Sequence, residues 1–295
     1  LDEDSLAFVV ENIDRIDDPM ARTLCWSAAW EATRDGRMRA RDFVRLVARG
    51  AAAETELAVL ERILSQATTA LRTYVDPAWE REGTSLLVDT FLTGRTSPDQ
   101  EVALVFSHAL TRLPLNDRAA DKLAQVLESS RDAELRWLAL AALIAYDRVE
   151  VETIARERSR DRSATGHQAA QRAEAAINDP AAKKKVWDAV VTGELSNVDA
   201  RMRMEGLVYP GSAEHLAQFN DAYFEVAETL WAHPSSEIGL STLTGLYPVW
   251  DISTEGLARA DRFLERELPA GLRRVVSEQR DRVARALRNR EFDAS

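Results

Sequence analysis

Residues 216–230 read LAQFNDAYFEVAETL, and their apolar side chains recur at helical intervals. These side chains lie three or four positions apart, which returns them to one face of an α-helix. The set comprises Leu216, Phe219, Tyr223, Val226 and Leu230. The turn Tyr209-Pro210-Gly211-Ser212 precedes the stretch and His233-Pro234 follows it. The pattern predicts one helix with an aromatic, buried face between two Pro-marked breaks.

The same periodicity extends along the chain and predicts about sixteen helices joined by loops of roughly two to seven residues. The clearest predicted helix spans Glu54 to Tyr74. Its apolar stripe consists of Leu57, Leu60, Leu64, Ala67, Leu71 and Tyr74. By contrast, the segment Trp137 to Ile144 is apolar nearly all round, so that helix must be covered on several sides.

Several helix boundaries carry a physical signal. Asp18-Pro19, Ser97-Pro98 and Asp179-Pro180 each place a capping side chain before a proline, which suits the first helical turn. Glycines follow other predicted helices, where a left-handed or flexible residue ends the helix. These glycines are Gly36, Gly50, Gly94 and Gly193.

Short connections force successive helices to be antiparallel, so the expected class is all-α. Helix pairs of about 35 to 45 residues, repeated without a strict motif, are typical of HEAT-like arrays. We therefore expect an irregular HEAT-like α-α superhelix, a curved solenoid. No Gly/Ser/Pro linker divides the chain, so residues 1–295 are expected to form one domain with a possible soft point near 178–182.

Composition narrows the classes of function. The formal net charge of −11 disfavours general nucleic-acid binding, which needs surplus positive potential. Basic clusters such as Lys183-Lys184-Lys185 are interpreted as solvated helix faces. Charges interrupt every apolar run, so no membrane span is expected, and no signal peptide is visible. The start at Leu1 without a Met is weakly consistent with a fragment.

The chain offers little catalytic chemistry. Patterns for nucleotide-binding Gly-rich loops and for the Gly-x-Ser-x-Gly nucleophile elbow are missing. The single cysteine, Cys25, could act as a nucleophile, but a small buried thiol beside Trp26 is the better interpretation. A lone cysteine also agrees with a reducing compartment, so a cytoplasmic location is expected. Acidic pairs such as Glu152 and Glu157 are expected by chance among 49 acidic side chains.

Two sets of segments carry a resemblance to a known family. The N-terminal set is Ile16-Asp17-Asp18-Pro19-Met20-Ala21-Arg22, then Cys25-Trp26-Ser27-Ala28-Ala29-Trp30 and Arg34-Asp35-Gly36. The C-terminal set is Gly245-Leu246-Tyr247-Pro248, Asp261-Arg262-Phe263-Leu264 and Leu272-Arg273-Arg274-Val275-Val276-Ser277-Glu278. Their order resembles the C-terminal helical domain of actinobacterial-type aminopeptidase N, a gluzincin zinc aminopeptidase. It is also similar to the C-terminal domain of the endoplasmic reticulum aminopeptidases.

The resemblance covers essentially the whole chain and implies a non-catalytic role. In that family the zinc site requires His-Glu-x-x-His, and a Gly-Ala-Met-Glu-Asn stretch grips the substrate amine. Both are absent here, and the closest two histidines, His215 and His233, lie 18 positions apart. We therefore expect no catalytic or metal-binding residue and no cofactor in this chain. The implied partners are a catalytic zinc domain on the same polypeptide and a peptide substrate, with neither nucleic acid nor membrane.

The resemblance further implies a helical bowl that packs over the zinc domain and encloses a chamber for the peptide. Arg273 and Arg274 are candidates for contact with a peptide carboxylate, since guanidinium can bind it with two hydrogen bonds. The alternative is an exposed helix with an ion pair from Arg274 to Glu278. Tyr247 and Trp250 are candidates for the chamber lining, and a core role is the alternative.

Two other functions stay open from the sequence. A free-standing HEAT-like scaffold would bind another protein and would need no peptidase region on its polypeptide. An unrecognised helical enzyme would show activity that survives without metal. A peptidase sequence upstream of Leu1 would distinguish the chamber domain from both.

Overall fold

The computed structural model describes residues 3–211 and 213–295. This part of the chain contains seventeen α-helices and no β-strand, so the predicted all-α class is confirmed. Ser212, in the turn predicted before residue 216, lies outside the described residues. The contacts divide the chain into two compact units, each of which is described in turn. The predicted single domain with a soft point near 178–182 stays a prediction.

The first unit extends to Ala119 and also includes Arg285–Ser295. Its helices are α1 (Glu3–Asn12), α2 (Pro19–Arg34), α3 (Ala40–Gly50), α4 (Leu57–Thr69), α5 (Glu80–Gly94) and α6 (Gln100–Leu110). Short 3-10 turns occupy Ile13–Arg15 and Ala51–Ala53, and a π-helical turn occupies Ala70–Tyr74.

The second unit spans Ala120–Ala284. Its complete helices are α8 (Ala133–Ala145), α9 (Thr153–Arg160), α10 (Ala164–Ala175), α11 (Pro180–Val191), α12 (Asn197–Leu207), α13 (Ala213–Leu216), α14 (Ala222–Trp231), α15 (Ser236–Gly245) and α16 (Thr254–Leu264). The unit boundaries fall inside two further helices, α7 (Asp117–Ser129) and α17 (Ala270–Ala294).

The Asp-Pro signals for helix starts are confirmed. Asp18 accepts a hydrogen bond from the backbone N–H of Met20 at 3.0 Å, and Asp179 accepts one from Ala182 at 2.8 Å. The start predicted at Ser97-Pro98 is shifted, because Asp99 is the residue that caps α6. Its carboxylate accepts from the first backbone N–H groups of that helix, which Ser97 is too early to reach.

The helix predicted from Glu54 starts later, at Leu57, because the side chain of Glu54 is bonded elsewhere. Its buried carboxylate accepts two hydrogen bonds from Arg22 at 3.1 Å and one from Trp26 at 3.0 Å. Backbone N–H groups of Thr55 and Glu56 also donate to it. Burial opposes ionisation of Glu54, but these donors outweigh it and lower the pKa of the carboxyl. This ion pair ties α2 to the start of α4.

The helix predicted to be covered on several sides is α8, and this prediction is confirmed. Every residue from Leu135 to Ala145 is buried. Inside the same unit α8 packs against α9 and α10. Over these residues the helix therefore has no face left exposed to water.

Lys183 is buried, so the interpretation of residues 183–185 as a solvated cluster is wrong for its first member. Its ammonium donates to the carbonyl oxygens of Ala175 at 2.9 Å, Leu207 at 3.1 Å and Gly206 at 3.3 Å. These carbonyls belong to the last turns of α10 and α12, where the helix dipole favours a cation. Lys184 and Lys185 are exposed as expected.

The close approach of α10 and α12 explains the glycine at position 206. A Cβ atom there would lie 2.1 Å from the backbone oxygen of Arg172, which no side chain can tolerate. The helices therefore meet backbone to backbone at the junction that Lys183 closes.

The Lys183 junction predicts a specific pH dependence of stability. Burial lowers the pKa of Lys183 to about 7, whereas the unfolded side chain titrates near 10.5. Between these values the unfolded chain binds more protons, so this residue makes the unfolding free energy rise with pH. Relative to Lys183→Met, the wild-type chain should gain about 1 kcal/mol per pH unit between pH 7 and pH 10.

Urea denaturation at several pH values measures this difference. The matched control is Lys184→Met, which removes an exposed lysine that pairs with Asp188 on the same helix. This control separates the loss of a buried lysine from the loss of an exposed one on the same helix. Equal pH profiles for wild type and Lys183→Met would contradict the burial of a titrating ammonium.

Candidate functional site

The aromatic face predicted for residues 216–230 forms part of the core of the second unit. Leu216, Phe219, Tyr223 and Leu230 are buried, and Val226 is half-buried. The rings of Trp187 and Phe219 stack with centroids 4.4 Å apart. This stack joins α11 to the segment that precedes α14.

The helix predicted through this stretch is broken into pieces. It consists of α13, a 3-10 turn at Ala217–Phe219, and α14 from Ala222. Asn220 and Asp221 lie at the break. Both residue types are weak helix formers that bond readily to nearby groups, and here both side chains bond to partners distant in sequence.

These partners form a network that we call the polar cluster, which comprises Asn220, Asp221, Trp250, Asp251, Ser253 and Arg259. Asn220 accepts from Trp250 Nε1 at 2.8 Å and donates to Asp251 at 3.0 Å. Asp251 also accepts from Ser253 Oγ at 2.6 Å and from Arg259 at 2.9 Å. Arg259 completes the cluster by donating to Asp221 at 2.8 Å.

The polar cluster fixes the loop between α15 and α16. Ser253 caps α16 by accepting from the backbone N–H of Gly256 at 2.9 Å. Burial disfavours the charge on Arg259, but its hydrogen bond to Asp221 and the nearby carboxylates outweigh this effect and raise its pKa. Arg259 thus pairs with two carboxylates, those of Asp221 and Asp251, and Asn220 links Asp251 to the indole of Trp250. The polar cluster therefore holds the Trp250 indole in a defined orientation.

The two predicted aromatic residues lie on this loop in different environments. Tyr247 is only 2% exposed, and its ring meets Tyr223 edge to face with centroids 5.1 Å apart. Burial raises the pKa of its hydroxyl well above the usual value. Trp250 is half-buried and packs against the hydrophobic core of the unit. The core alternative describes the surroundings of Tyr247, whereas Trp250 is only partly covered by the core.

The two predicted arginines lie on α17 and are exposed. Arg273 donates to the backbone oxygens of Leu264 and, at 2.8 Å, Arg266, so it closes the end of α16. Nε of Arg274 lies 3.9 Å from Oε1 of Glu278. This is the ion pair given above as the alternative role of Arg274. Contact of these arginines, or of Tyr247 and Trp250, with a chamber or a peptide stays a prediction.

Sequence reasoning missed Asn220, Asp251 and Arg259, which hold Trp250 in place. The available signal was the pair Asn220-Asp221 inside an otherwise regular helical period. Two weak helix formers at that place favour a break and side chains bonded elsewhere. Their partners could not be found from periodicity, because they lie about thirty residues further along the chain.

Residues 3–211 and 213–295 contain no group of three or more His, Cys, Asp or Glu side chains arranged to hold a metal ion. No helix within this part of the chain is both long and apolar enough to span a bilayer. Cys25 is half-buried, and burial raises the pKa of its thiol, which disfavours the reactive thiolate.

Comparison with protein families gives a match over residues 1–285 to the family described as the ERAP1-like C-terminal domain. The chain belongs to this family. It is 33% identical over 307 aligned residues to aminopeptidase N of Streptomyces lividans. That alignment covers all of this chain but only 36% of the relative's length. The resemblance to the C-terminal domain of aminopeptidase N is therefore confirmed.

A solved structure of an engineered protein also aligns with the chain. It is 17% identical, with 97% of this chain and 82% of the other covered, at a TM-score of 0.32. This value is too low to inform the fold or the function of the family member described here.

The polar cluster predicts unequal effects for its two carboxylates. Asp251 is 12% exposed and accepts from three side chains, so Asp251→Asn should lower the unfolding free energy by about 1–3 kcal/mol. Asp221 is 75% exposed and bonds to the same arginine, so Asp221→Asn should cost less than about 1 kcal/mol. Chemical denaturation of both variants checks this order. Equal losses of unfolding free energy in the two variants would contradict a larger contribution from the buried carboxylate of Asp251.

Proposed function

We propose that this chain is the non-catalytic C-terminal domain of a zinc aminopeptidase N, where it encloses the chamber that leads to the active site. The parent enzyme would remove N-terminal residues from peptides. The observation that carries the proposal is the alignment of the entire chain with 36% of aminopeptidase N from Streptomyces lividans. The remaining length of such a polypeptide is available for the catalytic region.

The zinc ion of the proposed parent would be held by that other region. The described residues offer no suitable cluster of His, Cys, Asp or Glu ligands, so they do not fit the ion. Zinc would supply an activated water and polarise the scissile carbonyl. The present chain would bind and orient the peptide, and it would exclude folded chains from the active site.

Confinement is the physical basis of the proposed role. A wall of helices around the catalytic centre admits short flexible peptides and excludes folded chains. Contacts with the wall also supply binding energy from parts of the peptide remote from the scissile bond, and this energy can orient the substrate. A rigid wall is needed for that purpose, because loosely held side chains lose much of the gain to entropy.

Among the proposed lining residues, Trp250 has the best support. Its indole is half-buried, and the hydrogen bond to Asn220 fixes the direction of the ring. An aromatic surface held in one orientation can pack on a peptide side chain at low entropic cost. Arg273, Arg274 and Tyr247 are proposed with less support, since Arg273 and Tyr247 already contact protein groups. A cytoplasmic location is proposed from the single cysteine.

Activity of the full polypeptide on a peptide series tests the proposed function. It should hydrolyse single-residue reporter substrates and short peptides, and its activity should fall steeply for long or folded chains. An intact polypeptide without aminopeptidase activity, or one that trims folded proteins as readily as short peptides, would contradict the proposal.

Trp250→Ala provides the corresponding residue-level prediction. In the full polypeptide we expect KM for peptides of about six or more residues to rise roughly fivefold, as about 1 kcal/mol of aromatic contact is lost. KM for a single-residue reporter should be unchanged, because that substrate does not reach the wall. The control is Leu104→Ala, which truncates an exposed apolar side chain of the first unit. Equal effects on long and short substrates would exclude a lining role for Trp250.

A further inference from the structure

A cavity between two helices of the first unit has the size of a site for a small molecule. Its volume is about 260 Å³. This is just below the range of roughly 300–1,000 Å³ that is typical of sites for drug-sized ligands. We call it the α4–α6 cavity, because α4 and α6 pack on each other and supply its walls. The lining includes Glu61 and Leu64 of α4, Leu104, Val105 and His108 of α6, and Arg112 just after α6.

One part of the lining is apolar. Leu64 is buried, Val105 is half-buried and Leu104 is 40% exposed. Leu104 and His108 lie one turn apart on α6, so both occupy the helix face that borders the cavity. A ligand that covers Leu104 would remove apolar surface from water, which favours binding. This part of the cavity therefore suits an aliphatic group.

Two opposite charges at the cavity are uncommitted. The carboxylate of Glu61 and the guanidinium of Arg112 belong to the lining and are exposed. Among the described residues, neither side chain has a hydrogen bond or an ion pair. A carboxylate attracts an ammonium, whereas a guanidinium binds a carboxylate with two parallel hydrogen bonds. A ligand that satisfies both side chains therefore carries an ammonium and a carboxylate.

The imidazole of His108 adds a polar atom to the lining. His108 is half-buried, and its Nε2 atom is buried without a hydrogen-bond partner among the described residues. Buried polar atoms nearly always have a partner, because an unsatisfied one loses its hydrogen bonds to water. An imidazole nitrogen can donate or accept a hydrogen bond, depending on the tautomer. Either polar end of a ligand in the cavity could therefore bond to it.

We propose that the α4–α6 cavity binds a free aliphatic α-amino acid. Its ammonium pairs with Glu61 and its carboxylate pairs with Arg112. Its aliphatic side chain covers Leu104, and one of its polar ends bonds to Nε2 of His108. An amino acid combines these two charges and an apolar group at the size that the cavity admits.

This inference goes beyond the proposed function, because the binding depends only on groups of the present chain. The two are related through the chemistry of the ligand. An enzyme that removes N-terminal residues from peptides releases free amino acids, so the proposed parent would itself produce the molecule that this cavity binds.

Isothermal titration calorimetry of the 295-residue chain with L-leucine tests the site. We expect one site with a Kd of roughly 0.1–1 mM, since the ligand has only about nine non-hydrogen atoms. Three analogues each lack one feature: L-leucinamide lacks the carboxylate, N-acetyl-L-leucine lacks the ammonium, and glycine lacks the aliphatic side chain. Each should bind about tenfold more weakly than L-leucine. No saturation below about 10 mM L-leucine, or equal affinity for the analogues, would overturn the proposal.

Two substitutions assign the charged ends of the amino acid. Arg112→Gln should weaken L-leucine binding about tenfold but should not weaken L-leucinamide further, because that ligand has no carboxylate to lose. Glu61→Gln should weaken L-leucine to a similar extent and should not weaken N-acetyl-L-leucine further. Both side chains are exposed and unpaired among the described residues, so the fold should be retained.

The matched control is Arg62→Gln. Arg62 is an exposed neighbour of Glu61 on α4 that does not belong to the lining, so its substitution should leave the Kd for L-leucine unchanged. A Kd that stays the same in Arg112→Gln or in Glu61→Gln would overturn the proposal.

Aminopeptidase activity of the full polypeptide keeps the two proposals apart. An active polypeptide whose 295-residue part fails to bind L-leucine would contradict the amino acid site alone. Binding of L-leucine by this chain, together with an inactive full polypeptide, would contradict the proposed function alone.

Discussion

The ammonium of Lys183 ties together the ends of two helices, and the arrangement of the second unit depends on that contact. Burial disfavours the charge of this side chain and lowers its pKa to about 7, and three backbone carbonyls accept its hydrogen bonds. Gly206 lets α10 and α12 meet closely enough for one side chain to reach both. Because Lys183 belongs to α11, the junction also fixes the position of that helix. Trp187, one turn further along α11, then stacks on Phe219, directly before the break that carries Asn220.

Much of this fold could be predicted from local patterns. Steps of three and four residues identified the buried faces, and Asp-Pro pairs identified helix starts, because both signals depend on groups close in sequence. The apolar helix α8 was equally clear, since no face of it could be left in water. What local patterns missed involved partners far along the chain. Glu54 leaves the predicted helix because it pairs with Arg22, and the helix over residues 216–230 breaks because Asn220 bonds to Trp250 and Asp251.

Lys183 shows that a run of consecutive lysines does not by itself predict that each side chain is exposed. Its place three and four residues before Val186 and Trp187 puts it on the buried stripe of α11, but two exposed lysines beside it suggest a solvated face. Only the carbonyl ends of α10 and α12 make burial of the ammonium possible, and no periodicity predicts them. The candidate site likewise depends on contacts between residues far apart in the sequence. Trp250 could be selected from its sequence context, whereas the residues that orient it became evident only from their contacts.

The proposed function assigns confinement and positioning to these helices and assigns metal chemistry to another region of the polypeptide. Simultaneous measurement of zinc content and aminopeptidase activity tests this division most directly, for the 295-residue chain and for the full polypeptide. We predict bound zinc and hydrolysis of aminoacyl reporters for the full polypeptide, and neither for the shorter chain. Stoichiometric zinc together with peptide hydrolysis in the shorter chain would contradict the account.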